Sequence, residues 1–344
     1  MRGKGICYDT GFFNRAVSTH EPFDPEVVPR ELRVIRDDLH CNAVRITGGD
    51  LERLKTAASS AAAAGLEVWL SPFTTDLTAD ELLDFLAGCA DHAERLRRQG
   101  AEIVLLTGSE LTMTNKGIVP GETFEERAGL LTPSNPSIGQ LLAAVPARVN
   151  HLLADAVRVV RERFGGKVSY ASLPFEHVDW TPFDIVSTDA GYRSIETADR
   201  YAEGVRALVA QGKPVAVTEF GCCTYKGAAD RGARGAEIVE WDTATVTPVR
   251  LDGDHTRDED EQATYLREVL DVLTAAGVDS AFVYTFARYD LPHRGDPRLD
   301  LDMASAGVVK VLEDGRGRTY PDMAWEPKAA FTALADRYRD EPST

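Results

Sequence analysis

A closed (β/α)8 barrel, the TIM-barrel type of α/β fold, is what this sequence predicts, on three observations. Short apolar runs of strand character alternate with longer helix-forming segments along the whole chain, the pattern of repeated βα units. There are eight such runs. Most are near-continuously apolar rather than alternating, as suits parallel strands with helices outside and packed side chains inside. The runner-up, an open doubly wound sheet, lacks its dinucleotide fingerprint, because Gly3, Gly5 and Gly11 have the wrong spacing for GxGxxG.

The first strand is expected at Gly5–Tyr8, with a helix at about Pro25–Asp38. The second is Ala43–Ile46, after which Asp50 offers an N-cap to Leu51–Ala64, a run of good helix formers that Gly65 stops. After the third, Glu67–Leu70, Thr78-Ala79-Asp80-Glu81 is a capping-box pattern opening a helix to about Arg98, with Gly100 beyond it. The fourth, Glu102–Thr107, leads to a helix at Ile138–Arg163, which Pro146 kinks or splits and Gly165-Gly166 ends. The connection after the fifth, Lys167–Ala171, is too short for a clear helix and holds a single turn at Glu176–Trp180. The sixth, seventh and eighth, Asp184–Thr188, Pro214–Thr218 and Ser280–Thr285, precede helices at Glu196–Gln211, Asp258–Ala276 and Pro327–Arg339. One domain over 1–344 is expected, since no composition break divides it. The surplus over the ~250 residues typical of such barrels falls in long loops after strands four and seven, at about 111–136 and 221–257.

Composition narrows the partners. With 38 Lys+Arg against 55 Asp+Glu, the formal charge of −17 excludes a cationic footprint for nucleic acid or anionic membrane surfaces. No apolar segment follows the basic N-terminus and no run of 18 apolar residues exists, so a soluble, cytoplasmic protein is expected. The five cysteines form no CxxC or even framework and read as reduced, with adjacent Cys222 and Cys223 structural. Seven histidines show no metal spacing, and Asp252-Gly253-Asp254 with Asp258 and Asp260 reads as a solvated acidic loop; no metal and no cofactor are expected. Gly227–Gly235, with Lys226, Arg231 and Arg234, reads as a mobile lid, or else as an anion contact.

Reactive groups in such a barrel project from the C-terminal strand ends. Those positions are rich in acids: Asp9, Glu110, Glu176, Asp189 and Glu219, with Arg45 on strand two. Glu110 and Glu219 each follow a strongly apolar strand, the fourth and the seventh, and can face each other across the barrel mouth. Alone, either also suits a helix cap or an Arg partner. As a pair they suit glycoside cleavage, with retention at carboxyl separations of about 5–5.5 Å and inversion at about 6.5–9.5 Å.

The sequence resembles clan A of the glycoside hydrolases, retaining enzymes on this barrel, over nearly its whole length. Val217-Thr218-Glu219-Phe220-Gly221 is close to the family's strand-seven motif and Asn42-Ala43-Val44-Arg45-Ile46 to its strand-two motif. Asp184-Ile185-Val186 leading to Tyr192, and Gly307-Val308-Val309 followed by Trp325–Phe331, are similar to later segments. The resemblance implies Glu219 as nucleophile and Glu110 as acid/base. It also implies that Arg45 holds Glu219 ionised and that Tyr192 donates a hydrogen bond to it, although Arg45 equally suits a structural ion pair and Tyr192 plain packing. The chain departs from the family at Ser109, where Asn usually binds the sugar 2-hydroxyl, at strand three, which lacks the usual His, and at Phe286, which stands for the strand-eight Trp that floors the sugar. Trp69 is another candidate platform, and Asp9 and Glu176 candidate supporting residues.

The expected function is that of a retaining two-glutamate glycosidase on a small neutral or cationic glycoside or glycoconjugate. The alternatives are a biosynthetic enzyme using the same pair for cyclisation or isomerisation, and a catalytically dead carbohydrate-binding barrel.

Overall fold

The computed structural model describes residues 1–15, 17–313 and 315–340; the 341–344 end of the expected domain lies outside the described residues. Eight parallel strands form one sheet: β1 (Gly3–Asp9), β2 (Ala43–Gly48), β3 (Glu67–Pro72), β4 (Ile103–Ser109), β5 (Lys167–Ala171), β6 (Val186–Thr188), β7 (Val215–Phe220) and β8 (Ser280–Val283). They neighbour one another in the order β5-β4-β3-β2-β1-β8-β7-β6. The two ends of that order meet at a parallel bridge between Ser172 and Thr188, and Asp189 N donates to Ser172 O at 3.0 Å. The sheet therefore closes on itself as the (β/α)8 barrel expected.

Seven longer helices surround it: α1 (Val28–Asp37), α2 (Leu51–Ala63), α3 (Ala79–Arg98), α4 (Ile138–Arg161), α5 (Ala198–Val209), α6 (Glu259–Ala276) and α7 (Ala329–Asp340). Their starts follow local chemistry. The Asp50 carboxylate accepts from the amides of Glu52 and Arg53, Thr78 and Glu81 cap each other reciprocally, and Asp258 accepts from Glu261 N. Within the acidic run at 252–261, Asp258 is spent in this way and Asp252 is bonded to His255, while Asp254 is exposed. α4 passes through Pro146 as one helix.

The apolar side chains divide into two layers. Residues such as Ile6, Val44, Leu70, Leu105 and Val217 pack outward against the helices. Cys7, Ala43, Trp69, Val104, Leu106, Ala171, Ile185, Ala216 and Phe282 form a separate cluster, the filled lumen. All five cysteines are buried and unbonded. Among the described residues no helix is long and apolar enough to cross a membrane.

Between β5 and β6 the outer layer is thin. A single 3-10 turn, Pro174–Glu176, replaces the helix, slightly earlier than the turn expected at Glu176–Trp180. A cavity of about 770 Å³ lined by Leu173, Val178, Trp180, Tyr201 and Val205 lies there.

The long loops carry structure of their own. After β4 come short helices at Leu111–Thr114 and Phe124–Leu130, the second opened by a Thr123/Glu126 capping box. After β7, two 3-10 turns, Ala228–Asp230 and Gly232–Ile238, cover the stretch expected as a lid, and Val239–Trp241 pairs with Pro248–Leu251 as a hairpin. The last helix starts two residues later than expected because Trp325–Pro327 pairs with Val309–Val311.

Candidate active site

Two register slips place the two glutamates. Between β4 and β5, Leu106 faces Ser169 but Ser109 faces Ala171, so β4 carries one extra residue at 107–108. Between β8 and β7, Ala281 faces Val217 but Val283 faces Phe220, so β7 carries one extra residue at 218–219. Alternation from Leu106 and Ala216, both in the lumen, would turn Ser109 and Glu219 outward. An inserted residue flips that parity, which is how bulges re-aim side chains at the rims of barrels. Gly108, with φ +134°, supplies the backbone freedom on β4.

Glu110 follows at φ 51°, the left-handed region, at the start of the Leu111–Thr114 turn. A non-glycine residue held there stores about 1–3 kcal/mol of strain that its surroundings must overcome. Glu176 is the tie that does so. Fully buried, it accepts from Thr112 N at 3.2 Å, Thr112 Oγ1 at 2.7 Å and Tyr170 OH at 2.9 Å, and Leu111 N donates to the same Tyr170 oxygen at 2.8 Å. Glu176 thus fastens the turn behind Glu110 instead of facing the cleft.

Arg45 is fully buried, and all five of its N–H donors are used. Nε bonds Ser71 Oγ (3.1 Å), Nη1 bonds Asp189 Oδ1 (2.7 Å) and Thr218 O (2.9 Å), and Nη2 bonds Ser109 Oγ (2.9 Å) and Asp189 Oδ2 (3.2 Å). Ser109 Oγ donates onward to Asp189 Oδ2 at 2.6 Å. Asp189, at the end of β6, is therefore the main partner of Arg45; Glu219 Oε2 stands 3.6 Å from Nη1.

Glu219 accepts from Tyr192 OH at 2.7 Å. Burial, and then the charge of Asp189, push its carboxyl up to about 7, against the opposing pull of Arg45, Tyr192 and Arg288. Arg45, expected to hold Glu219 ionised, does pull in that direction, but Asp189 takes up most of the guanidinium and its own charge pushes the other way. Burial raises Glu110 further, well above the usual range, and the charges of Asp189, Glu219 and Glu176 add to it.

Both glutamates line one cleft of about 570 Å³, together with Asp189, Tyr192, Tyr284 and Arg288. Gly191 lets β7 pass closely: a Cβ there would sit 2.3 Å from Val217 Cγ1 and 2.5 Å from Glu219 O. Arg231 and Arg234 of the loop after β7 reach the rim, each paired with an acid, Glu237 at 3.3 Å and Glu196 at 2.5 Å. Arg288 is paired with Asp290 at 2.6 Å and donates to Tyr284 OH at 3.2 Å.

Other expected site residues lie elsewhere. Phe286 is buried below the cleft, stacked on Tyr8 and edge-on to Trp325. β8 ends at Val283, so Tyr284, two residues earlier than Phe286, is the aromatic residue from the end of that strand that lines the cleft. Trp69 is enclosed in the lumen beside Phe282 and donates from Nε1 to Glu67 at 2.8 Å, which excludes it as a platform. Asp9 accepts from Thr19 Oγ1 and Gly11 N and tethers the loop after β1. Ser109 is sealed under Asp189. Asp189 and Tyr284 are the residues that reasoning from sequence undervalued, although both stand at strand ends.

No protein-family model matches the sequence, and no curated protein is similar enough to match it. Among solved structures the chain is similar to a GH113 β-1,4-mannanase, at 16% identity and TM-score 0.62 with 99% of each chain covered. It is also similar to the GH113 β-mannanase of Alicyclobacillus acidocaldarius, at 16% identity and TM-score 0.57 over 98% of this chain and 97% of that one. A β-glucosidase mutant matches at 9% identity and TM-score 0.56, over 99% of this chain and 96% of that one. The shared feature is the (β/α)8 barrel.

Proposed function

We propose, from this clan A-type barrel, that the protein is a retaining glycoside hydrolase acting on a small glycoside or glycoconjugate, with Glu219 as nucleophile and Glu110 as acid/base. The observation that carries the reading is the unequal setting of two carboxylates on one cleft. Glu219 has a phenolic donor at 2.7 Å and a guanidinium at 3.6 Å, while Glu110 is surrounded by other acids. Burial raises both carboxyls, but Tyr192 and the guanidinium pull Glu219 back, so it ionises more readily than Glu110. A window opens in which one is a carboxylate and the other an acid, the division of labour that glycoside cleavage needs.

In that window the Glu219 carboxylate attacks the anomeric carbon as the glycosidic C–O bond breaks, and the departing oxygen takes the Glu110 proton. Glu110, now ionised, takes a proton from water, whose oxygen attacks the same carbon and releases Glu219. Tyr192 and Arg45 fix which oxygen of Glu219 faces the substrate. Incubation with 2-deoxy-2-fluoroglycosyl fluorides, β-mannosyl and β-glucosyl among them, followed by intact-mass and peptide analysis, should give a stable adduct on Glu219. Neither adduct nor cleavage across a broad aryl-glycoside panel would overturn the reading.

One observation favours a second reading, non-hydrolytic acid/base chemistry on a non-sugar substrate. Ser109, where the family holds a ligand for the sugar 2-hydroxyl, is locked to Arg45 and Asp189. Under that reading Glu110→Gln and Glu219→Gln abolish turnover of a substrate that no fluoroglycoside mimics.

A further inference from the structure

Beside the catalytic cleft, and sharing Arg288 with it, lies a second cavity of about 540 Å³. Three loops of the barrel mouth build it: Phe12, Asn14, Arg15 and Val17–Thr19 after β1, the Phe124–Leu130 helix after β4, and the hairpin after β7. Its walls are aromatic. Phe12 meets Phe124 edge-on at 5.5 Å between ring centroids, and Trp241 lines the cavity from the hairpin with 44% of its surface exposed. Arg15 spans the opening, reaching the carbonyls of Thr243 and Ala244 at 3.4 Å.

Many of the polar groups at this cavity are already spent within the protein. Thr19 Oγ1 donates to Asp9, Asp242 accepts from the amides of Ala244 and Thr245, and Arg288 is held by Asp290. A second sugar ring, with hydroxyls all round, would need several free partners here, whereas a flat apolar group needs few. One acceptor is an exception. Asn14 Oδ1 is buried without a hydrogen bond, whereas Glu125 beside it is ion-paired with Arg15 Nε at 3.5 Å. A buried acceptor left unpaired is costly and calls for a donor.

We infer that this cavity holds the aglycone: a flat aromatic group bearing a hydroxyl or amino donor, joined through its glycosidic oxygen to a sugar in the Glu110–Glu219 cleft. The inference rests on the glycosidase reading for the sugar and on the aromatic walls for the rest. The substrate is thus an aryl glycoside of small size, and the loops after β1, β4 and β7 select it.

The test uses 2-naphthol as probe, titrated against the intact protein, Glu219→Gln and Trp241→Ala, with binding read by calorimetry. Trp241 sits half-exposed on a hairpin, so its replacement leaves the core intact. Wild type and Glu219→Gln are expected to bind alike and Trp241→Ala about tenfold more weakly, the scale of one lost aromatic contact plus its buried area. Trp241→Phe should recover most of the loss. In turnover, the preference of kcat/KM for 2-naphthyl over methyl glycoside should fall by about the same factor. Trp241→Ala binding naphthol as wild type does, or no binding by any variant, overturns the assignment. If naphthol binds through Trp241 while no glycoside is cleaved or trapped, the hydrolase reading falls and the aromatic site stands. If Glu219 is trapped but Trp241 has no effect on either readout, the cavity assignment falls alone.

Discussion

Tyr192→Phe removes one oxygen from the site and leaves its shape. That oxygen stands 2.7 Å from Glu219 and is among the groups holding its carboxyl down against burial and Asp189. A hydrogen bond to an ionised group is worth about 1.5–3 kcal/mol. At about 1.4 kcal/mol per pKa unit, its loss raises Glu219 by about one to two units, from about 7 to about 8–9. With Glu219 as the nucleophile and Glu110 as the acid, as proposed, titration of Glu219 sets the acidic limb of kcat/KM, which should move up by that amount while the alkaline limb moves little. The assay is a pH–rate profile on an aryl glycoside over about pH 5–10, with a thermal melt at each end to confirm folding. An acidic limb that stays in place in a folded Tyr192→Phe protein would refute the electrostatic argument. A shift of the alkaline limb instead would reverse the roles of the two glutamates.

Three more outcomes are expected. Glu219→Gln should be more stable than the parent at pH 8 and equal to it near pH 4. The folded carboxyl sits near 7 against an ordinary value of 4.5. Between those values the unfolded chain loses its proton first, so stability falls as pH rises and levels off above 7, by about 3 kcal/mol at most or about 4 °C in Tm. Scanning calorimetry at the two pH values checks this. Asp189→Ala leaves the buried Arg45 guanidinium without its bidentate partner and should cost about 3–5 kcal/mol in urea unfolding; a change under about 1 kcal/mol would mean that Glu219 takes over the pairing. Gly191→Ala drives a methyl to within 2.5 Å of the Glu219 carbonyl, so it should lose about 1–3 kcal/mol of stability together with kcat.

Much of the barrel was legible because a parallel strand buried on both faces must be apolar throughout, and helix caps leave side-chain signatures. Asp50, Thr78 and Asp258 stand where their hydrogen bonds place them. The capping box at Thr123 and Glu126 was equally readable, yet it lay inside what reads as a loop. The short hairpins were not legible, since two or three residues carry no period. At the site, Glu110 and Glu219 were identified by strand position, and Arg45 and Tyr192 by the resemblance of their segments to family motifs; the structure brings all four together. Which acid the guanidinium fork faces was not, because Asp189 arrives 144 residues from Arg45 and only barrel closure joins them. Tyr284 was missed by two residues because β8 ends at Val283, where the Tyr284 amide bonds Phe220 O. Gly108, just beyond the apolar run Ile103–Leu106, was a sequence hint of a bulge on β4.

The thin wall between β5 and β6 bears on how the protein fails on heating. β6 is three residues long; three ladder positions hold it to β7, while one backbone bridge at Ser172 and Thr188, with hydroxyl bonds from Ser169, Ser172 and Thr188, ties it to β5. Asp189 and Tyr192, which set the charge state of Glu219, both hang from this strand. Segments with few ladder bonds and little cover open at lower free energy than the whole molecule. Warming should therefore silence the enzyme some degrees below its melting temperature, reversibly, with amides of 186–192 exchanging first. The working range would then be set by one strand at the seam and not by the barrel as a whole.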